Sequence, residues 1–461
     1  MLTIFGNSHG HYCDGISRRN FLQIGAAGLG GLTLPNMLRA EEQGATTSKA
    51  SPHKAIIHLF LAGGPSQSSI FPNLEAPESY RGSFRRISTK ITGVPICEHM
   101  PQVAALADKF IFFPGVHRMD GSHMGHCAFS GAVMSGGGAT KEKQVFGPVG
   151  GRPSQGSYIS KLLGSSDGVT PPYMCGGRFQ GSEPGFLGNA YSHFSFKGGL
   201  SGDMKLNGIT LEELADRRRL LKTIDRLRAE VDNSGALDAV DSFTQRAMGI
   251  LTSTKLPDAI NLDKEDPKVV DKYKNPGWQG SGRDANVNLQ LLRAMRLVEA
   301  GARYVAVGYG GWDTHQANDE IHAQKLPILD AGLATLVADL EQRGMLEDVT
   351  LLAWGEMGRG SRYSKAVKDP ATGITGRGRG HHGDCCPTFM AGGGMRTGQM
   401  IGKLDRLGDK NIGRPVHNHD VLATVYHNLG IDVLDPKNKV TDPAGRPHYL
   451  LEDGRPIGEI T

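Results

Sequence analysis

The stretch "AIIHLFLAGGPSQ", residues 55–67, indicates how the chain folds. Apart from His58 its first eight residues are apolar, and a Gly-Gly-Pro turn follows them. An apolar run without polar alternation is typical of a strand that is buried on both faces, as in a parallel sheet covered by helices. We therefore expect this run to be the first strand of a parallel sheet.

Strand-like and helix-like segments alternate downstream. Helical periodicity in residues 287–301 precedes the strand-like "RYVAVGYGGWDTH" of residues 303–315, and a long helix is expected around 319–343. The strand-like residues 349–359 lead into a long loop (358–384), the strand "CPTFMAGGG" and a last helix in "HDVLATVYHNLGI". This order predicts an α/β fold with a mostly parallel sheet and helices on both faces.

The N-terminal segment is typical of a twin-arginine export signal. Paired Arg18 and Arg19 precede a Gly/Ala-rich apolar run that is too short to span a bilayer comfortably. We expect a signal peptide at residues 1–40, a linker at 41–54 and one large domain at 55–461. The predicted protein is therefore exported, periplasmic or extracellular, with the twin-arginine machinery as a partner and without stable membrane insertion.

Composition limits the other classes of function. The chain has 51 basic and 47 acidic residues, a balance that argues against a general nucleic-acid binder. Five cysteines at irregular spacing follow the signal, which is not a disulfide framework, although one or two bridges remain open. Thr210 and Glu213 have capping-box spacing and begin a predicted helical insertion around residues 209–253.

Histidine and acidic residues recur where the predicted strands end. In a parallel sheet these carboxyl ends share one edge, where ligands usually bind. Imidazole and carboxylate donors suit Zn²⁺ or a similar divalent ion, which is the cofactor we expect. The candidate metal ligands are Asp313, His315, Glu356, His381, His382 and His419.

Each candidate also has a purely structural interpretation. Asp313 and His315 would serve equally as caps for the next helix, and Glu356 would pair with Arg359. The catalytic candidates are Arg359, to hold an anionic substrate, and Ser122, as a nucleophile at the start of a helix expected near that residue. For His123 and the neighbouring His126, a ligand role and a packed histidine remain open alternatives.

The motifs taken together resemble those of one family. The order "HLFLAGGPSQ", "GGWDTHQ", "WGEMGR", a Gly/Arg loop ending in His, "AGGGMRTGQMIG" and "HDVLATVYHNLGID" is similar to that of domain-of-unknown-function family fifteen-hundred-and-one, over most of residues 53–450. This exported family is related to alkaline phosphatases and sulfatases. The resemblance implies an alkaline-phosphatase-like core and a metal-dependent hydrolase.

The resemblance carries over residue by residue, with two departures. Asp313 and His315 match the family's W-D-T-H, Glu356 and Arg359 match its E-F-G-R, and His419 fits its last motif. The Asp before the family's loop histidine, matched by His381, is replaced by glycine, and the acidic residue after its G-G-P-S is also replaced. Two further carboxylates could compensate for these losses in space, those of Asp120 and Asp384.

Two functions follow as expectations. The first is an exported metal-dependent hydrolase of phosphate or sulfate esters, in which two ions would clamp the attacking and leaving oxygens. The second is a non-catalytic exported binding protein whose degenerate metal site recognises an anionic small molecule or a sulfated glycan. The lost carboxylates favour the second, whereas Asp313, His315, Glu356 and His419 favour the first.

Overall fold

The core of the fold is an eight-stranded sheet, which confirms that the run at residues 55–67 begins a sheet. The computed structural model describes residues 53–119, 121–132, 151–196, 254–274 and 287–461, all of which belong to one compact unit. The expected signal peptide (1–40), nearly all of the linker (41–54) and the helical insertion (209–253) lie outside the described residues.

The strands of the large sheet are β1 (Ala55–Phe60), β4 (Phe110–Val116), β5 (Tyr173–Cys175), β6 (Phe194–Ser195), β7 (Tyr304–Gly308), β8 (Val349–Trp354), β11 (Cys386–Gly392) and β12 (Gln399–Met400). Their order across the sheet is β12-β4-β11-β8-β1-β7-β5-β6. Strand β11 runs antiparallel to both of its neighbours, and the other paired strands are parallel. The prediction of a mostly parallel sheet is confirmed.

The described residues also form four two-stranded sheets. Their strands are β2 (Arg86–Ser88), β3 (Pro95–Cys97), β9 (Gly358–Lys368), β10 (Thr375–His382), β13 (Lys403–Leu404), β14 (Asn411–Ile412), β15 (Val440–Thr441) and β16 (Pro447–His448). The pair β9–β10 is an antiparallel hairpin that occupies most of residues 358–384. The expectation of an irregular loop there is therefore wrong, because main-chain pairing orders the segment.

Helices cover both faces of the sheet. They are α1 (Gln67–Ile70), α2 (Pro101–Ala105), α3 (His126–Phe129), α4 (Gln155–Leu163), α5 (Lys255–Ile260), α6 (Pro267–Lys272), α7 (Val287–Glu299), α8 (Asn318–Gln342) and α9 (Asn418–Asn428). None of the helices in the described ranges is both long and apolar enough to cross a membrane.

Alternate residues of β1 pack into two separate apolar clusters. Ile57 and Leu59 join the cluster that contains α7 and α8, whereas Ile56 and Phe60 join the cluster that contains α4 and α9. Burying a side chain of this size contributes about 1.5–3 kcal/mol, so both faces of the strand favour the layered fold. The expectation of helices on both faces is confirmed.

The direction of β11 determines which loops lie at the edge of the sheet where the parallel strands end. Because β11 is antiparallel to β4 and β8, its amino end lies beside their carboxyl ends. The segment that precedes β11 ends with β10, which thereby brings His381 to this edge. The turns after β1, β4, β7 and β8 reach the same edge, because these strands run in one direction.

Candidate metal centre

Three histidines converge on one aspartate at the carboxyl edge of the sheet. The donor atoms of His123, Asp313, His315 and His381 all lie within 4.8 Å of one another. Asp313 Oδ1 lies 3.1 Å from His315 Nε2 and 3.2 Å from His381 Nε2, and Asp313 Oδ2 lies 3.1 Å from His123 Nε2. The loops after β4 and β7 and the end of β10 thus supply one group of donors.

The donor set and its orientation fit a divalent cation. His381 Nδ1 donates a hydrogen bond to the Gly121 carbonyl at 3.0 Å, which leaves Nε2 as its lone-pair nitrogen and directs it toward Asp313. Imidazole nitrogens and a carboxylate are ligands that Zn²⁺ accepts. The side chains of His123, Asp313 and His315 are 48%, 39% and 43% exposed, so the group is open to solvent on one side.

Glu356 supports His123 instead of joining the four donors. Its carboxylate is buried and lies 3.2 Å from His123 Nδ1, on the opposite side of the ring from Asp313. The Gly63 N–H donates to both Glu356 oxygens, at 2.9 and 3.1 Å. The hydrogen bond to Glu356 raises the pKa of His123. We expected Glu356 to be a metal ligand. In the structure it is not one of the four donors but contacts one of them, His123.

Arg359 forms an ion pair with the carboxylate of Asp313 from the buried side of the cluster. The guanidinium is fully buried, and its Nη1 donates to Asp313 Oδ1 at 2.7 Å and to the Gly63 carbonyl at 3.2 Å. Its Nη2 donates to the Arg379 carbonyl. The expectation that Arg359 holds a substrate anion does not suit this position, because the guanidinium is fully buried and both Nη1 and Nη2 already donate to protein groups. Arg359 instead neutralises and orients Asp313.

The charges around the cluster keep Asp313 ionised. Burial alone would raise the pKa of Asp313, but the hydrogen bond and charge of Arg359, helped by His123 and His315, lower it below its usual value. Partial burial lowers the pKa of His315, and the charge of Arg359 adds to this effect against the opposing attraction of Asp313. A carboxylate beside a neutral imidazole is the protonation state that metal binding requires.

Two glycines allow the loops to approach so closely. Gly63 has φ +107°, and a Cβ at this position would lie 2.4 Å from the Asp313 nitrogen. A Cβ on Gly378 would lie 1.7 Å from the His315 carbonyl oxygen. Both contacts would be prohibitive for any other residue, so these glycines determine where the ligand-bearing loops sit.

Two other expected ligands lie outside this cluster. His382 Nε2 donates to the Asp409 carbonyl at 2.6 Å, and His419 belongs to a separate group with His417 and Asp453. The expectation that His419 shares a centre with Asp313 is therefore wrong in position.

The helix expected near Ser122 begins later. Ser122 lies in a bend, and α3 begins at His126, so Ser122 has no helix N-terminus to assist it as a nucleophile. It does neighbour the cluster residue His123 in sequence. Of the two carboxylates expected to compensate, Asp384 accepts the Arg118 N–H at 3.5 Å and belongs to neither donor group, and Asp120 lies outside the described residues.

His123 is the donor that sequence reasoning did not select. Its place after β4, at the same edge as Asp313, was the available signal, but a packed histidine explained it equally well. Its two carboxylate neighbours come from positions 313 and 356, and no local pattern indicates that they meet around one ring.

The fold and this edge define a layered α/β protein with a candidate mononuclear metal centre. The chain belongs to the family described as Protein of unknown function (DUF1501), whose model matches residues 53–461. This match confirms the resemblance seen in the motifs. No curated protein matches the sequence.

Several solved structures are similar to the chain. Ps i-CgsB, in its complex with k-i-k-neocarrahexaose, is 12% identical with a TM-score of 0.40, over 83% of this chain and 73% of that chain. A protein in the alkaline phosphatase superfamily from Vibrio parahaemolyticus is 11% identical with a TM-score of 0.36, over 87% and 76%. The phosphonate monoester hydrolase SpPMH from Silicibacter pomeroyi is 9% identical with a TM-score of 0.39, over 88% and 76%. What these proteins bind or cleave is a property of those proteins.

Proposed function

We propose that the protein is an exported, metal-dependent hydrolase of phosphate or sulfate esters with an alkaline-phosphatase-like fold. The observation that carries the proposal is the convergence of His123, Asp313, His315 and His381 at the open carboxyl edge of the sheet. These four residues would hold a zinc-type ion, which supplies Lewis acidity toward an anionic ester when bound. Export is proposed from the sequence pattern of residues 1–40, which is typical of a twin-arginine signal.

The chain's own residues prepare this site. Arg359 fixes Asp313 from the buried side and keeps its carboxylate ionised. Glu356 holds His123 through Nδ1, so that Nε2 faces the carboxylate of Asp313. Gly121 orients His381 in the same way through its carbonyl. Donors whose orientation is fixed before the ion arrives lose little conformational entropy on binding.

The burial of Arg359 favours the alternative of a non-catalytic binding protein. The buried position of Arg359 leaves the centre without the cation that was expected to hold a substrate anion. A metal site that lacks this group would retain an anionic small molecule or a sulfated glycan through the ion alone. A measurement of ester turnover distinguishes the hydrolase from the binding protein.

The test uses the mature protein loaded with Zn²⁺ and assayed on aryl phosphate and aryl sulfate. We expect ester cleavage that disappears in His315→Ala, because this change removes a donor that is 43% exposed. Asp271→Ala, which removes a 64% exposed carboxylate, is the control and should retain activity. A protein that binds zinc and cleaves neither ester would support the binding-protein alternative instead.

A further inference from the structure

A second group of metal-type donors lies at the amino end of α9. His417, His419 and Asp453 each offer a donor atom, and these atoms lie within 4.8 Å of one another. His417 precedes α9 and His419 lies in its first turn, whereas Asp453 belongs to the C-terminal segment. The group shares no residue with the candidate metal centre.

The ring of His419 is held in one orientation. Its side chain is 2% exposed, Nε2 donates to the Gly131 carbonyl at 2.8 Å, and Nδ1 contacts Asp453 Oδ1. A backbone carbonyl that accepts one ring N–H and leaves the other nitrogen to coordinate is the usual support for a metal-binding histidine. A buried ring with Nε2 engaged in this way is poorly placed to exchange protons with a substrate.

The backbone around His419 reinforces this orientation. Gly131 has φ +77°, and a Cβ there would lie 2.9 Å from His419 Nε2. A Cβ on Gly454 would lie 2.4 Å from the His419 carbonyl oxygen. The two glycines therefore permit main chain to pack closely against the ring and the backbone of His419.

The charges beside the group favour a cation. Asp453 is half exposed, with Oδ2 paired to Arg118 and Oδ1 directed at His419. Asp420 adds a second carboxylate, whose Oδ1 lies 3.5 Å from His417 Nε2. The charges that act on His417 include these two carboxylates and, against them, the guanidinium of Arg118. The remaining ring in contact, that of His117, packs edge-on against His417 at 5.7 Å between centroids.

We propose that His417, His419 and Asp453 form a second binding site for a divalent cation of the zinc type. Two imidazoles and a carboxylate are a donor set that zinc accepts. The bound ion joins the first turn of α9 to the C-terminal segment around Asp453. Both His419 Nδ1 and Asp453 Oδ1, which now contact each other, would turn their lone pairs to the ion.

The test counts zinc ions on the full mature chain by equilibrium dialysis and elemental analysis. The wild type is expected to bind two ions per chain, and Asp453→Asn and His417→Gln one each. His315→Ala, in the other cluster, is also expected to bind one, and its combination with Asp453→Asn none. Asp384→Asn is the matched control: it removes a nearby carboxylate that belongs to neither group and should bind two.

The outcomes separate the two metal proposals. If Asp453→Asn and His417→Gln bind as many ions as the wild type, the second site is overturned while the first stands or falls with His315→Ala. If His315→Ala alone leaves the count unchanged, the candidate metal centre fails and the second site is unaffected. Circular dichroism of each variant shows whether it is folded, and Asp453→Asn keeps the size of a half-exposed side chain.

Discussion

The Nε2 atoms of His315 and His381 lie 2.9 Å from each other, although the residues are 66 positions apart in the chain. Two ring nitrogens at this distance share a proton or a cation, because two lone pairs would repel. Both also lie within 3.2 Å of Asp313 Oδ1. One proton satisfies a single pair of these atoms, whereas one cation satisfies all three.

Replacing Asp313 tests that relationship. Asp313→Ala removes the carboxylate on which the three histidines converge, so we expect it to lower bound zinc by one ion per chain. Elemental analysis after dialysis measures the change, with Asp271→Ala as a control. Unchanged stoichiometry would remove Asp313 from the ligands.

Glu356→Gln tests the supporting role of the buried carboxylate. The amide has the same size but lacks the charge that holds His123, so zinc affinity should fall by about 10–100-fold with no loss of stoichiometry. Competition against a chelating indicator gives the affinity. Loss of an entire ion from Glu356→Gln would show instead that Glu356 is itself a ligand.

Gly63→Ala tests whether the turn after β1 sets the position of Asp313. Strain at φ +107° costs about 1–3 kcal/mol, and the new Cβ would also meet the Asp313 nitrogen at 2.4 Å. Gly93→Ala is the matched control, with φ +80° and no atom within 4 Å of the added carbon. Urea unfolding should show a larger loss for Gly63→Ala, together with weaker zinc binding. Equal losses would mean that the contact with Asp313 contributes nothing.

Acid should destabilise the fold through two buried histidines. Burial lowers the pKa of His58 and of His322 to about 3. The unfolded chain therefore takes up protons near pH 6.5 that the folded chain refuses, and the free energy of unfolding falls as pH drops from 6.5 toward 3. Each histidine contributes a slope of about 1.4 kcal/mol per pH unit in that range.

Urea unfolding at several pH values between 5 and 7 checks this slope (the range is about where a free histidine titrates). His322→Gln should reduce the slope of the unfolding free energy against pH by the contribution of about one proton. Glutamine is chosen because its amide oxygen can accept the Ser66 N–H that His322 Nε2 now accepts. His427→Gln, on the exposed side of α9, is the control. An unchanged slope in His322→Gln would contradict the assignment.

Much of the fold followed from periodicity. The apolar run of β1, the helical spacing of α7 and the order of strands and helices predicted the sheet and its two covering layers. The reversed direction of β11 could not be predicted, because a fully buried strand has the same continuous apolar pattern whether it runs parallel or antiparallel to its neighbours. The β9–β10 hairpin was missed because its glycines and charged residues are typical of loops.

The site was predicted less completely. Asp313 and His315 follow β7 directly, so their place at the sheet edge needed only the strand assignment. His123 was left open between a ligand and a packed histidine, and His419 was expected in the same centre as Asp313, because the path of the loop after β4 is set by contacts with residues far along the chain. Arg359 lies in β9, where it pairs with His381 of β10, and missing this hairpin left the buried position of Arg359 unpredicted.

The scattering of the first cluster along the chain has a consequence for biosynthesis. Its donors come from positions 123, 313, 315 and 381, so a growing polypeptide lacks the fourth until about four-fifths of the protein has been made. A metal ion that binds here would therefore meet all four donors only after β10 has been translated, and products truncated before that point lack a complete set of donors.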